Sequence, residues 1–109
     1  MSLDITIKQV HTVLCPHCGE AVKTEVVDSV MGGGREWYPF LESNGYYVPY
    51  EKRTAENDWY AKDMTLTNEQ CRDLVAYIKG HPFIYGAEAK KLIATALIEG
   101  DAVVINADW

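Results

Sequence analysis

Two consecutive stretches of helical periodicity, each closed by a glycine and the second followed at once by a short apolar run, restrict this chain more than any other feature. Over residues 68–79, Cys71, Leu74, Val75 and Ile78 fall at offsets of three, four and seven, which is one face of a helix. Thr67 stands at the cap position with Gln70 three residues on, the pattern of a capping box, and Leu66 precedes the cap as an apolar residue able to pack on Cys71. Gly80 and then His81-Pro82 end this helix, because glycine accepts a left-handed stop and proline prevents continuation. A second helix is expected from about Ala87 to Glu99, burying Ala89, Leu92, Ile93, Ala96 and Leu97 and stopping at Gly100. Ala102-Val103-Val104-Ile105 is uniformly apolar and too short for a helix, as expected of a strand covered on both faces.

The N-terminal third reads as β structure. Ile5, Ile7, Val10, Val13 and Leu14 mark one strand from Asp4 to Leu14, and the break in alternation near Val10 predicts a bulge or a change of face. Residues 21–30 are rich in β-branched side chains and predict a second strand, so that Cys15-Pro16-His17-Cys18-Gly19 becomes the tight turn between the two. Met31-Gly32-Gly33-Gly34-Arg35 is expected to be a flexible loop; it lacks the Lys-Ser/Thr ending of a phosphate-binding loop. Residues 37–45 suit either a short helix stopped by Asn44-Gly45 or a strand turning there. Residues 51–65 show no clear period and are expected to be irregular, with their aromatic side chains anchored inward. The fold class that follows is α+β: a single domain over residues 1–109 with an N-terminal β-hairpin-like pair, an irregular aromatic-rich middle, two amphipathic helices and a C-terminal buried strand.

Composition narrows the function classes. With 109 residues, 48% of them hydrophobic, the chain can build a core without disulfides or a structural metal. The net charge of −6 and the scattering of basic residues outside Lys52-Arg53 and Lys90-Lys91 argue against a nucleic-acid partner, which requires clustered Lys and Arg. No apolar run approaches the roughly 20 residues of a membrane span, and the N-terminus carries neither a basic start nor a long apolar stretch. Three cysteines do not make the disulfide framework of a secreted scaffold, so reduced thiols and a cytoplasmic setting are expected.

One motif points to chemistry. Two cysteines three apart across a tight turn can aim both sulfurs at one ion, while Pro16 stiffens the turn and Gly19 permits the bend that follows. Over residues 13–20 the chain resembles the metal-binding knuckle of zinc ribbons and rubredoxin-like sites, although it contains no second knuckle. Zinc at a structural site takes four ligands, so two more are needed. His11 is separated from Cys15 by about 13 Å of extended chain. His17 lies inside the turn and would point away, and Cys71 reads as a small hydrophobe on a helix face. The candidate metal ligands are therefore Cys15, Cys18 and His81, with zinc or no cofactor at all, and the missing ligands come either from the same chain or from a second copy across a two-fold axis. Cys-Pro-His-Cys also resembles the site of thiol–disulfide oxidoreductases, with Val48-Pro49 as a cis-proline opposite the thiols. That resemblance implies a helix starting at Cys15, which Gly19 and the β-branched residues beyond it oppose.

Trp37, Tyr38, Phe40, Tyr46, Tyr47, Tyr50, Trp59 and Tyr60 crowd into one segment. Core is the reading favoured for most of them; the candidate interaction surface is drawn from Trp37, Tyr46, Tyr47, Tyr50, Trp59 and Tyr60. Glu51, Glu56, Asp58 and Asp63 are expected to be solvated, and the three histidines show no neighbouring acid placed to orient them. The leading expectation is a non-enzymatic protein–protein interaction domain, binding a protein partner or a second copy of itself and neither nucleic acid nor membrane. A zinc-stabilised module built on the cysteine turn is the alternative, and a thiol–disulfide oxidoreductase comes third.

Overall fold

The β-rich N-terminal segments form a long hairpin. In the computed structural model, which describes residues 4–33, 35–80 and 85–108, β1 (Asp4–Leu14) and β2 (Ala21–Gly33) pair antiparallel from Asp4 opposite Gly33 to Leu14 opposite Ala21. The expected irregularity falls between Gln9 and Val10: Gln9 faces Asp28 and Val10 faces Val26, which leaves Val27 as the extra residue of a bulge. Met31, Gly32 and Gly33 are not a loop, as their composition suggested, but the end of β2. Asp4, Ile5 and Thr6 run opposite them, and this ladder holds backbone that would otherwise be free.

A single turn of 3-10 helix (Arg35–Trp37) leads into α1 (Tyr38–Ser43), which settles the middle segment as a helix stopped at Asn44-Gly45, with Gly45 at a φ of +76°. Residues 51–65 are less irregular than expected. A second 3-10 turn covers Tyr50–Lys52, and β3 (Asp63–Leu66) is a strand that four residues of mixed polarity did not announce. α2 (Asn68–Lys79) begins at the expected capping box: the Gln70 amide donates to the Thr67 hydroxyl at 3.1 Å, and the Thr67 amide donates to Gln70 Oε1 at 2.8 Å. Its exit differs from expectation. Gly80 keeps a right-handed φ of −89° and closes a tightened turn onto the Tyr77 carbonyl, so no left-handed stop is used there. α3 (Gly86–Glu99) does end on a left-handed glycine, Gly100, at φ +71°.

β4 (Ala102–Asp108) then enters between β1 and β3 and completes a four-stranded antiparallel sheet of order β2-β1-β4-β3. Period-two burial along β1 and β3 shows which face meets the helices. Ile5, Ile7, Met64, Leu66, Val103, Ile105 and Ala107 turn inward to Leu74, Ile78, Ala89, Leu92, Ile93 and Ala96 of the helices, together with Trp37, Phe40 and Leu41. Val103, Val104 and Ile105 of the last strand are buried in succession, as expected of a strand covered on both faces. Val104, on the side away from the helices, is shaded at 8% exposure beside a shallow groove lined by Lys8, Val10, Thr65 and Ala102 of its own sheet.

The β1–β2 arm and its cysteine turn as candidate functional site

β4 pairs with β1 only from Asp4 to Val10. Beyond that point β1 and β2 continue without a third strand among the described residues, and α3 reaches only their base at His11 and Val27, so residues 11–25 form a two-stranded arm on a molecule whose longest dimension is 49 Å. The bulge at Val27 marks where the arm leaves the body, a place where bulges commonly turn a strand. The arm is not a polar spike. Leu14 is 57% exposed and Val22 62%, one on either side of the tip, and Val26 and Val27 at its base are exposed as well. On the outer strand, Lys23 pairs with Glu25 at 3.0 Å.

The tip is the cysteine turn, built as the sequence predicts. The Cys15 amide donates to the Glu20 carbonyl at 2.7 Å, the Gly19 amide returns to the Cys15 carbonyl at 2.9 Å, and Gly19 takes a φ of +75° that other residues adopt at a cost. The amides of Cys18 and His17 both aim at the Cys15 sulfur, and with a contact from the Cys18 thiol they lower the Cys15 pKa below that of a free thiol. Neither cysteine is in a disulfide; Cys18 is exposed and Cys15 half-buried. No helix begins here, and among the described residues no peptide bond is cis, so neither Val48-Pro49 nor the turn takes the form of the oxidoreductase resemblance.

Among the described residues no other candidate ligand is brought to the tip. Cys71 is 2% exposed within the core cluster, where burial raises its pKa. The choice of His81 falls outside the described residues. Among the described residues no group of three His, Cys, Asp or Glu stands close enough to hold an ion.

The aromatic segment divides. Trp37 is 1% exposed and belongs to no surface. Tyr46, Tyr47 and Trp59 are half-buried against the core, Tyr46 edge-on to Trp59 at 5.3 Å and Tyr47 edge-on to Tyr38 at 4.8 Å. Tyr50 and Tyr60 are exposed; Arg53 lies over the Tyr50 and Tyr47 rings at 5.9 Å, and the Tyr60 hydroxyl bonds Asp108.

Sequence reading missed one polar constellation at the arm's base. Asp101, in the link from α3 to β4, accepts from Gln9 Nε2 at 2.7 Å on one oxygen and meets His11 Nδ1 at 2.7 Å on the other. An acid does orient His11, then, contrary to expectation; it was invisible because it lies 90 residues away and is supplied by the sheet register. The hydrogen bond to Asp101, then its charge, raises the His11 pKa, while hydrogen bonds from His11 and Gln9 lower that of Asp101. The residues around this pair, Val27, Asp28, Lys91, Thr95 and Glu99, include neither Ser nor Cys, and the Thr95 hydroxyl is spent on the Lys91 carbonyl at 2.9 Å. The trio therefore holds the arm to the body and lacks the nucleophile of a hydrolytic triad.

The sign of its pH dependence follows from the two shifts. The contribution of His11 is complete below its unfolded value of 6.5 and is lost as pH rises through its raised folded pKa. That of Asp101 is present above about 4, the unfolded carboxylate range, and fades as pH falls through the lowered folded value. The stability gap between wild type and His11→Gln is thus expected to be widest near pH 5–6 and to shrink in alkali. Thermal unfolding at several pH values tests the gap, and NMR titration of the imidazole gives the pKa directly. A His11 pKa at or below 6.5 would show that the pair does not form.

No family model matches this chain, and neither a curated protein nor a solved structure does. Among the described residues, no helix is long and apolar enough to cross a membrane.

Proposed function

We propose that the protein is a non-enzymatic interaction domain whose contact element is the β1–β2 arm, and that the chain it contacts is a second copy of itself. One observation carries this reading: Leu14 and Val22 are more than half exposed beside the tip of a hairpin that no third strand extends among the described residues. A two-fold axis brings the same apolar residues of both copies together without any further complementary surface. Reach, rather than charge, favours the arm over the body as the place of contact. Residues 11–25 contain Glu20, Lys23 and Glu25, a net −1, which leaves −6 − (−1) = −5 on the rest of the chain. Per residue the two parts are about equally acidic, but contact through protruding arms brings together only the single net charge of each arm and keeps the two bodies apart.

Sedimentation of the purified, reduced protein at micromolar concentration tests the reading. Wild type is expected to be dimeric, and Val22→Asp, which alters an exposed position, to keep its circular dichroism while weakening the dimer at least about tenfold, or about 1.4 kcal/mol. A monomeric wild type overturns the proposal. So does a dimer indifferent to Val22→Asp, because the contact would then lie elsewhere.

A further inference from the structure

We propose that the tips of two arms share one zinc ion, bound by Cys15 and Cys18 of one copy and Cys15 and Cys18 of the other. The inference rests on the reading that two arms meet, and it adds what joins them. The turn is already shaped to present two sulfurs. Its ends are clasped by the bonds from the Cys15 amide to the Glu20 carbonyl and from the Gly19 amide to the Cys15 carbonyl.

The described residues of one chain fall short of a closed site. Zinc in a structural role takes four ligands in a tetrahedron. Cys15 and Cys18 supply two of them; Cys71 is sealed in the core, and among the described residues no third ligand joins the pair. An exposed tip with half a coordination sphere is completed by the symmetry of a dimer, since a two-fold axis through the ion repeats the same two thiols and asks nothing of another protein. The same approach draws Leu14 and Val22, which flank the turn, toward their counterparts and away from water. Four soft thiolates in a tetrahedron select zinc over magnesium or calcium, which require oxygen ligands. On binding, thiols that are protonated release their protons to solvent, so the site tightens as pH rises.

The decisive experiment is elemental analysis and native mass measurement on reduced protein reconstituted with zinc sulfate, repeated after removal of the metal with EDTA. The expected result is one zinc per two chains, a dimer at least 100-fold weaker after EDTA (about 2.7 kcal/mol), and loss of both zinc and this stabilisation in Cys15→Ser and Cys18→Ser. Both substitutions fall in a turn remote from the core cluster, so unchanged circular dichroism is expected to separate loss of metal from loss of fold. Cobalt in place of zinc is expected to give the intense visible absorption and thiolate charge-transfer bands of a tetrahedral all-sulfur site. A dimer that carries no zinc overturns the shared ion and leaves the arm contact standing. One zinc per monomer overturns the sharing, and a metal-free monomer overturns both readings. Iron retained in preference to zinc overturns the choice of metal.

Discussion

Replacing Trp37 with alanine is expected to remove about 3–5 kcal/mol of folding stability, most of what a domain of this size holds if its total is near the lower end of about 5–15 kcal/mol. Trp37 is 1% exposed and closes the core between α1 and the sheet, and its deletion leaves a cavity that the surrounding side chains can only partly fill. Tyr50→Ala, in the same aromatic segment, is expected to cost under about 1 kcal/mol, since that ring is exposed and loses little more than its contact with Arg53. Urea unfolding of the two variants compares them on one scale. Equal midpoints would remove Trp37 from the core and return the segment to the surface; a wide gap assigns it to folding and leaves the arm as the exposed apolar feature of interest.

The second large effect concerns β3. Met64→Asp places a carboxylate where the side chain is fully buried among apolar neighbours, and a loss of at least about 4 kcal/mol is expected from the forfeited burial together with the cost of an unpaired charge. One residue further on, Thr65→Asp is expected to change stability by no more than about 1 kcal/mol, because Thr65 faces the open side of the sheet. The contrast tests the parity of the strand. If both variants unfold together, or neither does, the register that sets Met64 opposite Ile105 and Thr65 opposite Val104 is wrong.

Where side-chain chemistry acts within a few residues, sequence and structure agree. α2 starts at its capping box and α3 stops at Gly100, because each signal is a hydrogen bond or a dihedral preference decided within one turn of helix. The cysteine turn is local in the same sense, so its position at the tip of a hairpin was legible. Expectations failed where a partner distant in sequence intervened. Gly32 and Gly33 are strand because β1 reaches back to Asp4, and Asp63–Leu66 is strand because β4 offers an edge to it. Gly80 is a local exception: its amide bonds the Tyr77 carbonyl three residues back with a right-handed φ, so the left-handed stop is not used.

The candidate site divides along the same line. The thiols of Cys15 and Cys18, the bulge near Val10 and the apolar residues on either side of the turn can all be read from the order of residues alone. That they stand on an arm with no covering layer could not be, since it depends on β4 ending its pairing at Val10 and on helices that cover only one face. The same holds for His11 and Asp101, whose meeting is a matter of strand register rather than of neighbourhood in the chain. The sequence by itself determined the caps, the turn and the periodicities, because their energies are settled between residues a few positions apart. Only the tertiary structure decided which strands became edges, which aromatic rings became core and which apolar residues were left exposed, because those outcomes depend on surfaces that meet after distant segments have packed together.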